Sequence, residues 1–303
     1  SMKQGQSGAG IVPFDHQLLP EKMGSAGRDC SGEMWVGTRV LNLGSGSSGN
    51  SLIIDDGRVR LLVDCGVGPR TIAAGLKTLG LNWDMLDLVM ISHEHIDHVK
   101  ALPAVLRLGI PILCTDGTAR ASGIGVEQFT SVNHAALFQV KSASIASIPT
   151  SHDAADPCGY RIELESTCIV VLTDTGELRT HFVDQLLGAD LIVLESNHDE
   201  EMLRRGPYPI YLKRRVASAQ GHLSNSSAGE LLREVLGQSQ NAPEIWLGHL
   251  SETNNRPKIA LDTVRDVVGS MSRDVDITVM SRRSELQLWE PSDREIQLGF
   301  SLF

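Results

Sequence analysis

The sequence predicts an α/β domain in which two β-sheets lie face to face with helices packed outside them. Strand-like runs recur in both halves of the chain, each group of strands is followed by segments of helical period, and no linker separates the halves. One folded domain is therefore expected over residues 37–303. A hydrophobic fraction of 41% suits a soluble globule with a sizeable core. Aromatic residues make up only 4%, so aliphatic side chains must fill most of that core.

Residues 1–36 show neither strand nor helix period and are rich in Gly, Ser and charged positions, which predicts a loosely ordered extension. Beyond it the pattern becomes regular. Strands are expected at 39–43, 51–54 and 60–64, joined by the Gly/Ser loop 44–50 and a tight turn at Asp56 and Gly57. A helical period covers 72–81 and stops near Gly80. Residues 86–92 read as a buried strand leading straight into HEHIDH, followed by a helix over 99–108 and a strand at 111–114. Further strands are expected at 137–140, 144–148, 160–164, 168–172, 191–194 and 277–280, and helices at 199–205, 226–236 and 257–268. Asn225 or Ser226 would cap the second of these helices and Asn255 the third.

Composition removes several functional classes. The five cysteines are odd in number, widely spaced and without a CxxC pair, which speaks against a disulfide framework or a thiolate metal site and for a reducing, cytoplasmic setting. No apolar run approaches a membrane span and no secretory signal is visible, so no membrane partner is expected. A net charge of −10 argues against a generally basic surface, though not against a local basic groove. Nothing in the sequence fixes an oligomeric state.

Chemistry concentrates at His93, His95, Asp97 and His98. Three imidazoles and a carboxylate within six residues suit divalent ions that accept N and O ligands, namely Zn²⁺, Mn²⁺ or Fe²⁺. They begin where a buried strand ends, so their side chains can converge on a cleft. Four ligands packed this closely do not fit comfortably around one centre, and two ions are expected.

These residues resemble the metallo-β-lactamase superfamily, whose motifs recur here in order: Asp64 in LLVDCG, HxHxDH at 93–98, His152 in PTSHDAADP, Asp174 in VLTDTG and His249 in LGHLSE. The resemblance implies a four-layer αββα sandwich. It also implies that His93, His95 and His152 hold one metal, that Asp97, His98 and His249 hold the other, and that Asp174 bridges them. A hydroxide between two ions would then be the nucleophile, because each ion lowers the pKa of bound water. Asp64 would accept the free N–H of a ligand histidine and fix its tautomer. Asp97 is expected to serve catalysis as well as metal binding.

His222 precedes a helix and matches the non-ligand histidine that nuclease branches of the superfamily carry ahead of the last ligand; it would act as acid–base partner. Glu195, Asn197 and His198 follow a strand ending at the same face, Glu195 as support for a ligand and the other two as substrate contacts. The segment RRGPYPIYLKRR holds Arg204, Arg205, Lys213, Arg214 and Arg215, and the last three are expected to meet phosphates, with Tyr208 and Tyr211 near enough to stack on bases. Ser48 and Asn50, on the Gly/Ser loop, could face substrate as anion-binding loops do.

Over most of residues 41–257 the chain is similar to the YycJ (WalJ) branch of the superfamily, through LGSGSSGNS, SHDAADPCGY, LESNHDEEML, LKRRVASAQGHLSN and LGHLSETNN. That similarity implies a metal-dependent phosphodiesterase with 5′-to-3′ exonuclease activity, and a nucleic-acid substrate, DNA rather than RNA. Two alternatives remain open: a hydrolase of small cyclic phosphodiesters, and a metal-binding interaction protein without turnover.

Overall fold

Strict alternation along the central strands decides the layering, because successive side chains point to opposite faces and so enter different cores. The computed structural model describes residues 37–291 apart from 135, 274 and 283–286. The extension expected over 1–36 lies outside the described residues. One sheet takes strands β1 (Arg39–Gly44), β2 (Ser51–Asp55), β3 (Arg60–Val63), β4 (Leu88–Met90), β5 (Ile112–Cys114) and β6 (Thr130–Ser131). The other takes β7 (Phe138–Val140), β8 (Ala143–Pro149), β9 (Cys158–Glu163), β10 (Cys168–Leu172), β11 (Leu191–Glu195), β12 (Glu244–Gly248) and β13 (Ile277–Val279). A last strand, β14 (Gln287–Trp289), returns to the first sheet beside β1.

Both sheets have seven strands and one plan. The first runs antiparallel from β14 through β1 and β2 to β3, then parallel through β4 and β5 to β6. The second runs antiparallel from β7 to β10, then parallel from β10 to β13. Leu61 and Val63 of β3 meet Ile169 and Val171 of β10 in the core between the sheets, together with Trp246 and Tyr160. The alternate residues face outward. On the first sheet, Leu62 and Val89 lie under α1 (Pro69–Thr78), α2 (Ile96–Val99), α3 (Leu102–Leu108) and α4 (Asp116–Ser122), in a core that includes Ile72, Leu76, Val105 and Ala119. On the second, Val170 and Ile192 pack with Phe182 of α5 (His181–Leu186), Leu231 of α8 (Asn225–Gln238) and Val264 of α9 (Pro257–Val268). The order of layers is helix, sheet, sheet, helix. The two remaining helices, α6 (Glu200–Arg205) and α7 (Ile210–Val216), lie between β11 and α8.

Several expected boundaries move. The first helix starts at Pro69, whose missing N–H suits a first turn. The helix expected over 99–108 is two helices, α2 and α3, with Lys100 and Ala101 between them. Ser224, not Asn225 or Ser226, caps α8 by accepting from Ser227 N–H at 3.2 Å. Asn255 does not cap α9, because its amide donates instead to the carbonyls of Ser196 and Asn197 at 2.9 and 3.0 Å. The helices α4, α5 and α7 were not expected.

A close backbone approach fixes the cleft end of the first sheet. Gly66 donates to Asn50 O at 2.9 Å, and a Cβ built on it would lie 1.5 Å from the carbonyl oxygen of Asp97. Only glycine fits there. Gly66→Ala should push the Asp97 loop away, destabilise the fold by about 1–3 kcal/mol or more and lower metal content. Thermal unfolding alongside elemental analysis checks both.

Candidate metal centre

Strand ends deliver the polar residues to one end of the seam between the sheets. Asp64 follows β3, His93 comes three residues after β4, His152 follows β8, Asp174 follows β10, Glu195 ends β11 and His249 follows β12. Four described non-glycine residues have positive φ, and three of them are Asp64 (56°), Asp174 (57°) and His249 (55°). A left-handed residue costs about 1–2 kcal/mol, least for short polar side chains. The abrupt turn it makes sends the side chain back over the strand end and into the seam.

Buried carboxylates and carbonyls then hold the imidazoles by one ring nitrogen, leaving the other free to face an ion. Asp64 accepts from His98 Nδ1 at 2.7 Å, from Ser92 N–H at 2.8 Å and from Ser92 Oγ at 2.9 Å. His152 Nδ1 donates to Gly221 O at 2.8 Å. Glu195, fully buried, takes His222 Nδ1 at 2.7 Å and His249 Nδ1 at 3.2 Å on Oε1, while the N–H groups of Thr175 and Leu223 reach Oε2 at 3.0 and 3.3 Å.

The free atoms gather in groups. Candidate ligand atoms of His93, His95 and His152 lie within 4.8 Å of one another, as do those of Asp97, His98 and His249; His93, His98 and Asp174 form a third group between them. The structure thus brings together the residues that the resemblance assigns to each ion. A fourth group joins Asp174, Glu195, His222 and His249. His93 Nε2, His249 Nε2 and Asp174 Oδ2 are buried without a hydrogen-bond partner. Such orphans are unfavourable in a dry interior, and a divalent ion beside them would satisfy all three, so the donor set fits metal. The titration tendencies agree. Burial disfavours charge on His98, but Asp64 and Asp174 outweigh it and push the ring up to about 9. Burial favours the protonated forms of Asp97 and Asp174, yet the surrounding histidines, His249 foremost, hold both carboxyls below the usual range. His93 falls well below an ordinary histidine through burial and then the nearby imidazoles, His98 first.

Other expected contacts take different roles. The Gly/Ser loop is not an anion cradle, because most of its polar groups point inward. Asn50 Oδ1 accepts from Gly46 N–H at 2.7 Å, its Nδ2 reaches His98 Nε2 at 3.0 Å, and its N–H donates to Asp97 O at 2.8 Å. Ser45 Oγ accepts from His249 N–H at 2.8 Å and Ser51 Oγ donates to Asp64 O at 2.9 Å. Asn50 is therefore a clamp on four site residues and not a substrate contact; Ser48 stays half-buried on the loop. Asn197 and His198 are buried as well, Asn197 Nδ2 donating to His249 O at 2.8 Å, so both lie behind the ligands and not in front of them. Ser45, Ser92 and Gly221, which position ligands, carried no signal in the sequence beyond lying beside a motif.

The basic segment is divided. Arg204 and Arg205 pair with Glu201, and Lys213 Nζ donates to Arg204 O at 2.8 Å, which seals the end of α6 and removes Lys213 as a phosphate contact. Arg215 Nη1 lies 3.1 Å from Asp153 Oδ2, beside His152. Arg214 is exposed and makes no such bond.

Comparison with known proteins agrees with this geometry. The profile of the beta-lactamase superfamily domain matches residues 59–240. The chain is 32% identical over 239 residues to the exodeoxyribonuclease YycJ of Bacillus anthracis, covering 77% of this chain and 90% of that protein. It is 33% identical over 233 residues to the exodeoxyribonuclease WalJ of Streptococcus pneumoniae, covering 74% and 86%. Among solved structures, the metallo-β-lactamase fold protein YhfI of Bacillus subtilis superposes with a TM-score of 0.64 at 19% identity, over 84% of this chain and 99% of that one. No helix among the described residues is long and apolar enough to cross a membrane.

Two predictions follow from the centre itself. Protein prepared without chelators should carry close to two divalent ions by elemental analysis, and Asp174→Ala should lose both together; a chain that never loads beyond one ion contradicts the assignment. The pH dependence has a defined sign. Raised from 6.5 to about 9 in the fold, His98 stabilises the metal-free protein fully below pH 6.5, and that contribution is lost as pH rises through about 9. An ion needs the neutral ring, so titration calorimetry should find protons released on binding and an apparent affinity falling as pH falls, about tenfold per pH unit for each proton displaced.

Proposed function

The chain belongs to the metallo-β-lactamase superfamily, in its YycJ/WalJ branch, and from that membership we propose that it is a two-metal phosphodiester hydrolase that removes nucleotides from DNA ends in the 5′-to-3′ direction. The observation that carries the reading is the pair of three-residue ligand groups on either side of Asp174, with a carboxylate-held histidine beside them. The names of the two relatives support DNA over RNA as substrate. The mixed N/O donor set suits Zn²⁺ or Mn²⁺, with Fe²⁺ a third option. Four described cysteines, all free and buried, fit a reducing cytoplasm.

His93, His95 and His152 would hold one ion, Asp97, His98 and His249 the other, and Asp174 both. The ions supply an acidified water and neutralise charge on the phosphate. Asp97 is the most exposed carboxylate among these ligands, its side chain 18% exposed, and it can accept a proton from the attacking water. His222 keeps its Nδ1–H on Glu195, so Nε2 is free to carry a proton to the leaving oxygen. Its side chain is 14% exposed, open enough to touch substrate. Arg214, free of internal partners, is the cation best placed for a phosphate beyond the scissile one, with Arg215 beside it. One observation favours a small cyclic phosphodiester instead: Arg204, Arg205 and Lys213 are engaged within the protein.

His222→Ala should retain both metals and the fold while lowering turnover by roughly 10²-fold; loss of an ion would reassign His222 as a ligand. Arg214→Glu should raise KM for DNA and reduce the slope of log K against log salt by about 0.7–0.9, with hydrolysis of bis-p-nitrophenyl phosphate unchanged. Unchanged DNA kinetics would favour the cyclic phosphodiester.

A further inference from the structure

The rim of the cleft carries apolar side chains that the centre does not use. Ile96, between His95 and Asp97, is 72% exposed; on α7, Ile210 is 65% and Tyr211 71% exposed. A chain of contacts sets both features on one side of the cleft. His95 Nδ1 lies 3.3 Å from His152 Nε2, His152 Nε2 lies 3.2 Å from Asp153 Oδ1, and Asp153 Oδ2 lies 3.1 Å from Arg215 Nη1. The ion pair docks α7 against the loop bearing His152. In a helix, residues three and four apart share a face, so Tyr211, Arg214 and Arg215 form one stripe, with Ile210 beside Arg214.

Resting on the nuclease reading above, we infer that Tyr211 and Ile96 form a platform for unpaired bases next to the scissile phosphate, so that the enzyme selects single-stranded or frayed DNA ends over blunt duplex. The occupant is set by chemistry. An exposed aromatic ring with an arginine one turn away complements a strand of alternating flat bases and phosphates, in a protein whose net charge of −10 otherwise repels it. In a duplex the base faces are already stacked and paired, and only an unpaired base can offer its face to Tyr211. Tyr211 is then a specificity-determining residue, and Asp153 a positioning residue that fixes the helix bearing it.

The test uses metal-loaded protein and three substrates: a natural single strand, the same strand with abasic sugars beside the cleaved end, and a blunt duplex. Wild-type protein should cleave the abasic strand and the blunt duplex about tenfold more slowly than the natural strand. Tyr211→Ala should slow the natural strand by a similar factor and the abasic strand no further, Tyr211→Trp should restore the natural rate, and all variants should hydrolyse bis-p-nitrophenyl phosphate alike. Equal slowing of natural and abasic strands by Tyr211→Ala, or a wild type that cleaves duplex and single strand equally, overturns the platform while leaving the nuclease reading intact. A wild type that hydrolyses bis-p-nitrophenyl phosphate and no nucleic acid overturns both.

Discussion

A carboxylate taken out of water must be answered by positive charge, and Asp174 imposes that condition on the whole molecule. It is 2% exposed at the seam of the sheets. Its oxygens lie 3.3 Å from His98 Nε2, 3.5 Å from His249 Nε2, 3.6 Å from His222 Nδ1 and 3.8 Å from His152 Nε2. An uncompensated buried charge would destabilise the fold by several kcal/mol. Nearby imidazoles answer part of it when protonated, and a divalent ion answers it fully. The architecture reads as the means of assembling those partners: two sheets of one plan, abutted so that their strand ends open on a shared point.

Assembling so many polar groups requires a rigid surround, because a partly satisfied network is worse than an apolar core. Tyr160, fully buried in the second sheet, donates across the seam to Ile91 O at 2.7 Å, two residues before His93. Behind Glu195, Ser196 Oγ donates to Asn225 Oδ1 at 2.7 Å, and Asn255 Nδ2 donates to the same oxygen at 2.8 Å. These bonds tie the loop after β11, the start of α8 and the loop after β12 into one unit, so the ligands on that side cannot move independently.

How much of this the sequence discloses depends on how local each determinant is. HxHxDH is contiguous, and the strand before it alternates cleanly between two cores, so both are legible. Asp64, Asp174 and His249 are legible because each follows an apolar strand. The helix α7 is not, since Gly206, Pro207 and Pro209 read as loop residues while its own face stays exposed and lacks an apolar stripe. Nor is the inward turn of the Gly/Ser loop, which depends on Asp97 and His249 arriving from distant strands. Asn50 and Asn197 look like substrate contacts in the sequence because a polar side chain near a motif carries no mark of which way it faces.

The division of ligands between the sheets also bears on how the protein is made. His93, His95 and His152 are all synthesised well before His249, which follows His152 by about a hundred residues. At about 5–20 residues per second on the ribosome, that interval is roughly 5–20 s. A nascent chain therefore exposes one complete set of three histidines while the other still lacks its final member. The first ion can be captured by an unfinished protein, joining β4 to β8 across the seam before β10, β11 and β12 exist to complete the second sheet. Metal supply during translation, and not only after it, would then influence how many chains reach the sandwich intact.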